Sequence, residues 1–274
     1  MPSAPAPPDR AHGETATLLD RPERWPLRPG GAARDLGRVV VLAPHPDDES
    51  LGCGGLLALL ADAGRPAHVV VVTDGCRSHT SAAWPPARLR ALREGEARRA
   101  VRHLGHGSNV EFLRFPDCGL PDEGGPAFEA AADRLAALVG DLRPDTLVVP
   151  WRRDPHCDHV AVWRLARARR DPAVRWLEYP VWAWTDAGAA PREGEAVPWR
   201  LDVSAALDRK ARAVAAHRSQ TTRLIDDDPD GFMLSPDVLA HFRRPWELYL
   251  DPCSDALEPT SRCRSRRRRV IRGA

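Results

Sequence analysis

The sequence predicts an α/β fold, a parallel β-sheet with helices on both faces. Three observations carry that expectation. Short, continuous apolar runs recur along the chain, as in Arg38-Val-Val-Val-Leu-Ala43 and Ala67-His-Val-Val-Val-Val-Thr73. Such runs mark strands buried on both faces. Segments with helical spacing of apolar residues separate them, and strand–helix alternation is the pattern of parallel sheets. Finally, polar clusters come directly after the first, second and fourth runs, at Pro44 to Glu49, Asp74 to His79 and Trp151 to His159. In parallel sheets ligands bind beyond the carboxyl ends of the strands, so the three clusters are expected to share one rim.

Arg38 to Ala43 is the first strand, and Leu51 to Ala63 is a helix that ends at Gly64. Ala67 to Thr73 is the second strand, succeeded by a helix over Pro86 to Leu104 with a stop at Gly105. Val110 to Phe115, Thr146 to Pro150 and Val174 to Tyr179 are further strands, separated by helices over Phe128 to Leu142 and Asp158 to Arg169. After Pro180 the alternation weakens. Val181 to Trp184 and Val197 to Val203 read as short edge strands, and Ala205 to His217 as a helix. Asp226 to Gly231 reads as a turn, Pro236 to Phe242 as a short helix and Trp246 to Leu250 as the last strand. Residues 1–36 are expected to form an extended, proline-rich arm pinned by Trp25. Residues 37–251 form one α/β domain with a small C-terminal β/α addition, and residues 252–274 form a basic, disordered tail.

Composition excludes several classes. The 274 residues are 43% apolar and 28% charged, as in a soluble domain with a full core. No stretch reaches the ~18 apolar residues of a membrane span. The N-terminus lacks the basic start and apolar centre of a signal peptide, so a cytoplasmic location is expected. A net charge of +2 implies no polyanionic partner, and the arginine run near Arg262 to Arg269 reads as a solvated tail, so no nucleic acid is expected. The six cysteines are scattered without a C-x-x-C pair and are expected to be reduced thiols.

The chemistry concentrates in two motifs. Pro44-His45-Pro46-Asp47-Asp48-Glu49 places an imidazole and three carboxylates in five positions. Like charges that close repel, and a divalent cation removes the repulsion. Asp154-Pro155-His156-Cys157-Asp158-His159 carries two histidines three apart. They share a face if the second opens a helix, one then binding metal while the other faces substrate. Asp158 is expected to cap that helix or to orient an imidazole from behind. Gly52, Gly54 and Gly55 are expected to let the first helix pack close to the strand before it.

The run PHPDDE, then GCGG, VVVVTDG and later DPHCDH, resembles the PIG-L/LmbE family of zinc-dependent N-acetylglucosaminyl deacetylases, of an actinobacterial type. The resemblance covers Arg38 to His159 and extends more loosely through Glu178 to Trp182, Ala216 to Gln220 and Trp246 to Leu250. It implies a Rossmann-like, LmbE-like sheet with zinc, or Fe(II) in its place, on His45, Asp48 and His159. It implies Asp47 as general base and His156 as acid or oxyanion stabiliser, with Glu49 and Asp158 supporting them. Asp74, His79, Arg93 and Trp182 become candidates for contact with an amino-sugar substrate, with Trp184 and Trp199 as further stacking candidates. Cys157 stands where many relatives carry proline. The implied reaction removes an N-acetyl or other N-acyl group from a glucosamine-containing compound, a natural-product glycoside or a thiol precursor. Two other functions fit parts of the pattern. Two histidines and a carboxylate also make the facial triad of a non-haem Fe(II) oxygenase. A non-catalytic, metal-containing carbohydrate-binding protein would also keep the cluster.

Overall fold

A computed structural model describes residues 21–191 and 194–253. Eight strands form one sheet: β1 (Leu27–Arg28), β2 (Val39–Ala43), β3 (Ala67–Thr73), β4 (Val110–Phe115), β5 (Thr146–Pro150), β6 (Arg175–Tyr179), β7 (Ala196–Asp202) and β8 (Trp246–Pro252). Their order is β1-β7-β8-β6-β5-β2-β3-β4. Strands β2 to β6 run parallel, whereas β8 is antiparallel to both β6 and β7. The helices are α1 (Asp48–Asp62), α2 (Pro86–His103), α3 (Pro126–Leu142), α4 (Cys157–Ala168), α5 (Leu207–Ala216), α6 (Arg218–Thr221) and α7 (Pro236–Phe242).

The apolar runs are strands because both of their faces are covered. Val39, Val41 and Ala43 of β2 join one core with Leu56 and Leu60 of α1 and Ala100 and Val101 of α2. Val40 and Leu42, one residue out of phase, join the other core with Phe128 and Leu135 of α3 and Val162 and Leu165 of α4. Burying one such side chain is worth about 1.5–3 kcal/mol, more than the ~1 kcal/mol span of strand propensities. Two-sided burial therefore decides the element type.

Topology then places the site. From β2 the chain moves outward through β3 to β4, and it returns through α3 to β5 on the other side of β2. The reversal opens a crevice beyond the carboxyl ends of β2 and β5. The two motifs lead out of those two strands.

Four expectations need correction. Val181 to Trp184 is not a strand: Trp182–Trp184 is a 3₁₀ turn. The backbone N–H groups of Val181 and Trp182 donate to Asp154 Oδ2 at 2.9 and 2.8 Å, so they are not available to a strand ladder. The Val197 to Val203 segment is not at an edge, since β7 lies between β1 and β8. The N-terminal arm is folded from Arg21 onward. β1 pairs with β7, and the 3₁₀ segment Gly30–Leu36 buries Ala33 and Leu36 in the core. Helix α1 begins at Asp48, so the acidic motif is itself the helix start. The tail expected from 252 lies, from 254 onward, outside the described residues, as do residues 1–20 of the arm.

Candidate active site at the switch point of the sheet

Asp47 precedes α1 with a backbone φ of 151°, and Asp48 and Glu49 form the first helical turn. A non-glycine residue there costs roughly 1–3 kcal/mol, so its surroundings must hold it. Two buried side chains do so. Glu49 Oε2 accepts from the Asp47 N–H at 3.0 Å. Arg93, buried on α2, donates to Asp47 Oδ2 at 3.2 Å and to the carbonyls of Pro46 and Gly75 at 3.0 and 2.8 Å. Gly75 has a φ of 62°, and a Cβ there would lie 2.4 Å from the Arg93 guanidinium. Gly52 serves a similar purpose: a Cβ would lie 2.2 Å from the Tyr179 ring. The glycines of α1 therefore admit Tyr179, Lys210 and Val203 rather than strand β2.

The second motif starts α4. His156 caps it, with Nδ1 accepting from the Asp158 N–H at 3.2 Å. The cap expected of Asp158 thus falls to His156. That hydrogen bond leaves the proton of a neutral His156 ring on Nε2. Asp158 Oδ2 instead lies 3.0 Å from His45 Nε2.

The imidazoles and acids converge in an ordered way. Asp48 Oδ2 lies 3.3 Å from His45 Nδ1 and 3.2 Å from His159 Nε2. The far nitrogen of each ring meets another carboxylate: His45 Nε2 faces Asp158 and Asp117 at 3.0 and 3.6 Å, and His159 Nδ1 faces Asp154 at 3.5 Å. Nitrogen atoms of His45, His156 and His159 lie within 4.8 Å of one another. His159 is fully buried, yet neither ring nitrogen makes a well-directed hydrogen bond. An orphaned imidazole between carboxylates, beside a second imidazole, is a donor set that suits a divalent cation.

Electrostatics separate the groups. Burial pushes Asp47 up to about 6, against the pull of Arg93. Burial opposes ionisation of Asp48, but the nearby His159 and His45 imidazoles outweigh it and hold its carboxyl well below the usual range. Burial also disfavours protonation of His45, but Asp117, Asp158 and Asp48, which accept hydrogen bonds from the protonated ring, raise it overall. For His156, burial and the neighbouring His45 and His159 outweigh the pull of Asp48 and Asp158 and press it down to about 4.

A cleft of about 190 Å³ opens over these groups. His45, Asp47, Asp48 and His156 line it, together with Arg77, Arg93, Trp182, Gln220 and Phe232. A larger cleft of about 540 Å³, between α3 and α4, has no histidine or cysteine in its lining. Among the substrate candidates, Arg93 and Trp182 reach the small cleft and Asp74 and His79 do not line it. Asp74 accepts from the N–H groups of Cys76 and Asp117, and so shapes the exit turn of β3. Trp199 is core, stacked near Tyr249, and Trp184 packs on His241 and Trp246.

Sequence reasoning missed Asp117, Asp154, His217 and Gln220. His217 Nε2 lies 2.8 Å from Glu49 Oε1, so it braces the residue that holds Asp47. Its signal was the segment Ala216 to Gln220. Asp154 stands within the second motif, but only the tertiary structure turns it towards His159.

A Rossmann-like sheet with a buried His/Asp cluster at its switch point, of a kind that could hold a metal ion, defines a class of α/β protein. The family described as PIG-L, GlcNAc-PI de-N-acetylase, matches residues 40–169. The chain is 32% identical over 250 residues to a 1D-myo-inositol 2-acetamido-2-deoxy-alpha-D-glucopyranoside deacetylase of Saccharomonospora viridis, covering 73% of this chain and 90% of the relative. It is 30% identical over 213 residues to a 2'-N-acetylparomamine deacetylase of Streptomyces fradiae, covering 68% and 74%. A conserved protein of Thermus thermophilus superposes with a TM-score of 0.58 at 29% identity, covering 82% and 98%. The chain belongs to the PIG-L family of de-N-acetylases. No helix among the described residues is long and apolar enough to cross a membrane.

Proposed function

We propose that this protein is a zinc-dependent hydrolase that removes the acetyl group from an acetamido sugar carried on a small acceptor. One observation carries the reading: Asp48 Oδ2 sits between His45 Nδ1 and His159 Nε2, with the Asp47 carboxyl on the adjacent residue. His45, Asp48 and His159 would hold the ion. Each of the two imidazoles has a carboxylate behind it, the arrangement that orients metal-bound histidines, and His156 has none among its close contacts. When bound, the ion supplies Lewis-acid polarisation of water and of the acetamide carbonyl.

The chain's own groups do the rest. Asp47, buried and beside Arg93, accepts the proton of the attacking water. Neutral His156, its Nδ1 occupied by the Asp158 N–H, donates from Nε2 to the oxygen that gains charge as the carbonyl carbon becomes tetrahedral. The carbon–nitrogen bond then breaks, and Asp47 returns the proton to the departing amine. His156 has little tendency to hold a second proton, so it acts as the oxyanion donor and Asp47 as the proton carrier. Products are the free amino sugar and acetate. The Trp182 and Phe232 rings meet edge to face at 5.7 Å on the wall of the cleft. The cleft is smaller than the roughly 300–1,000 Å³ of a drug-sized site, which suits one sugar ring with its acceptor outside. The relatives' names support an acetamido sugar and give no support to an oxygenase. The test is amine release from N-acetylglucosaminyl compounds by zinc-loaded protein. Oxygen-dependent turnover, or binding without amine release, would overturn it.

A further inference from the structure

Beside the site stands a feature that the proposed reaction does not use. Cys118, in the loop after β4, and Cys157, the first residue of α4, are exposed, and their Sγ atoms lie 3.8 Å apart. Asp158 completes the group: both Sγ atoms and a carboxylate oxygen of Asp158 lie within 4.8 Å of one another. We propose that Cys118, Cys157 and Asp158 form a second cation site, for a soft divalent ion such as zinc or cadmium, whose filling inhibits the neighbouring active site.

The geometry favours an ion over a disulfide. Two thiolates on a tetrahedral zinc, with Zn–S of about 2.3 Å, lie about 3.8 Å apart, whereas a disulfide needs about 2.05 Å. The sulfurs thus stand at the spacing of metal ligands before any ion is bound. The charge around them points the same way. Asp158 is buried behind the pair and Asp117 precedes Cys118, so the surroundings attract a cation. The same surroundings disfavour a bare thiolate: partial burial and the Asp117 charge push the Cys118 thiol up to about 12. An incoming cation instead displaces the two thiol protons to solvent and supplies the missing countercharge, with no oxidation.

The consequence for the active site runs through Asp158. Its Oδ2 lies 3.0 Å from His45 Nε2 and accepts from the Cys118 N–H at 2.8 Å. An ion on the outer site draws that carboxylate towards the sulfurs and loosens His45. Losing a carboxylate behind a metal-bound histidine typically weakens the site about 10–100-fold. Cys157 also lies directly between His156 and Asp158 in sequence, so ligation at its sulfur strains the cap of α4. The inhibition half of the proposal rests on the proposed function; the binding half does not.

The test uses the full chain loaded with one equivalent of zinc, titrated with cadmium under reducing conditions. Thiolate-to-cadmium charge-transfer absorption is expected to grow and to saturate at one further equivalent. Cys118→Ser and Cys157→Ser are each expected to abolish that band while retaining the first equivalent of zinc by metal analysis. Excess zinc is expected to inhibit the parent chain, with the half-inhibiting concentration about tenfold or more higher in Cys157→Ser, relative to each protein's own single-equivalent activity. A full band in both serine variants, or no band in the parent, overturns the site. A disulfide that forms in air and is the sole change at this pair overturns it in favour of a redox role. A band without any deacetylase activity leaves the cation site standing and removes the proposed function instead.

Discussion

At the scale of single residues, the site works by pushing neighbouring groups apart in proton affinity. Asp47 and Asp48 are adjacent, yet burial raises the first and two imidazoles hold the second down. Asp47→Asn keeps the shape and removes the proposed base. It is expected to lower kcat by about 10²–10⁴ while metal content stays at one equivalent. Full activity in that variant would show that another group takes the proton. Asp47 must be ionised to act as the proposed base, so kcat/KM is expected to be flat above about pH 6 and to fall as pH drops through that value. His156 gains no proton until about 4, so the limb should have a slope of one between the two values. Arg93 opposes the burial effect on Asp47. Arg93→Met should therefore move the limb to higher pH, as pH–rate profiles would record; an unmoved limb would count against Asp47 as the group that titrates.

At the scale of elements, the site depends on helix starts and on the loops that lock them. Both motifs open helices, and each start is held by groups from elsewhere in the chain. His217, at the junction of α5 and α6, braces Glu49, and Glu49 holds the Asp47 backbone. His217→Ala leaves a buried carboxylate without that partner. It is expected to destabilise the fold by about 1–3 kcal/mol in denaturant unfolding and to lower kcat/KM without loss of metal. Gly52 sits where α1 meets β6. Gly52→Ala sets a methyl against the Tyr179 ring, and a cost of about 1–3 kcal/mol is expected from overpacking. Unchanged stability in Gly52→Ala would mean that the helix can lift from the ring freely. The sequence placed these glycines correctly in a close contact but named the wrong partner. Residue spacing carries no information about which distant side chain arrives.

At the scale of the molecule, the sheet joins the proposed cation site to a core that covers it. An ion that binds only the folded chain stabilises it by about 2.7 kcal/mol at a hundredfold excess over its dissociation constant. Chelation is therefore expected to abolish amine release and lower Tm, and added zinc to restore both. In His159→Ala made together with Cys157→Ser, which removes the second cation site, the Tm should no longer respond to zinc. Persistent activity after complete metal removal would sink the proposed mechanism.

The sequence by itself determined the parallel sheet and the rim on which the two motifs meet. Two-sided burial writes itself into local runs such as Val39 to Ala43, and the carboxyl-end rule then sets the polar cluster after each run on the shared rim. It also carried the likeness to the family through residues that are contiguous. Only the tertiary structure decided that Asp158 backs His45, and it alone supplied the rest of the supporting shell: Asp117 behind His45, Asp154 behind His159, Arg93 on Asp47 and His217 on Glu49. Each of these partners is a single polar residue whose role depends on a packing direction, and a lone polar residue leaves no periodic trace. The terminal regions divide in the same way. Proline content indicated an arm, but the pairing of β1 with β7 required a strand contributed by residues 196–202. Local patterns record what the chain buries with its neighbours in sequence, and the fold alone decides which distant groups meet.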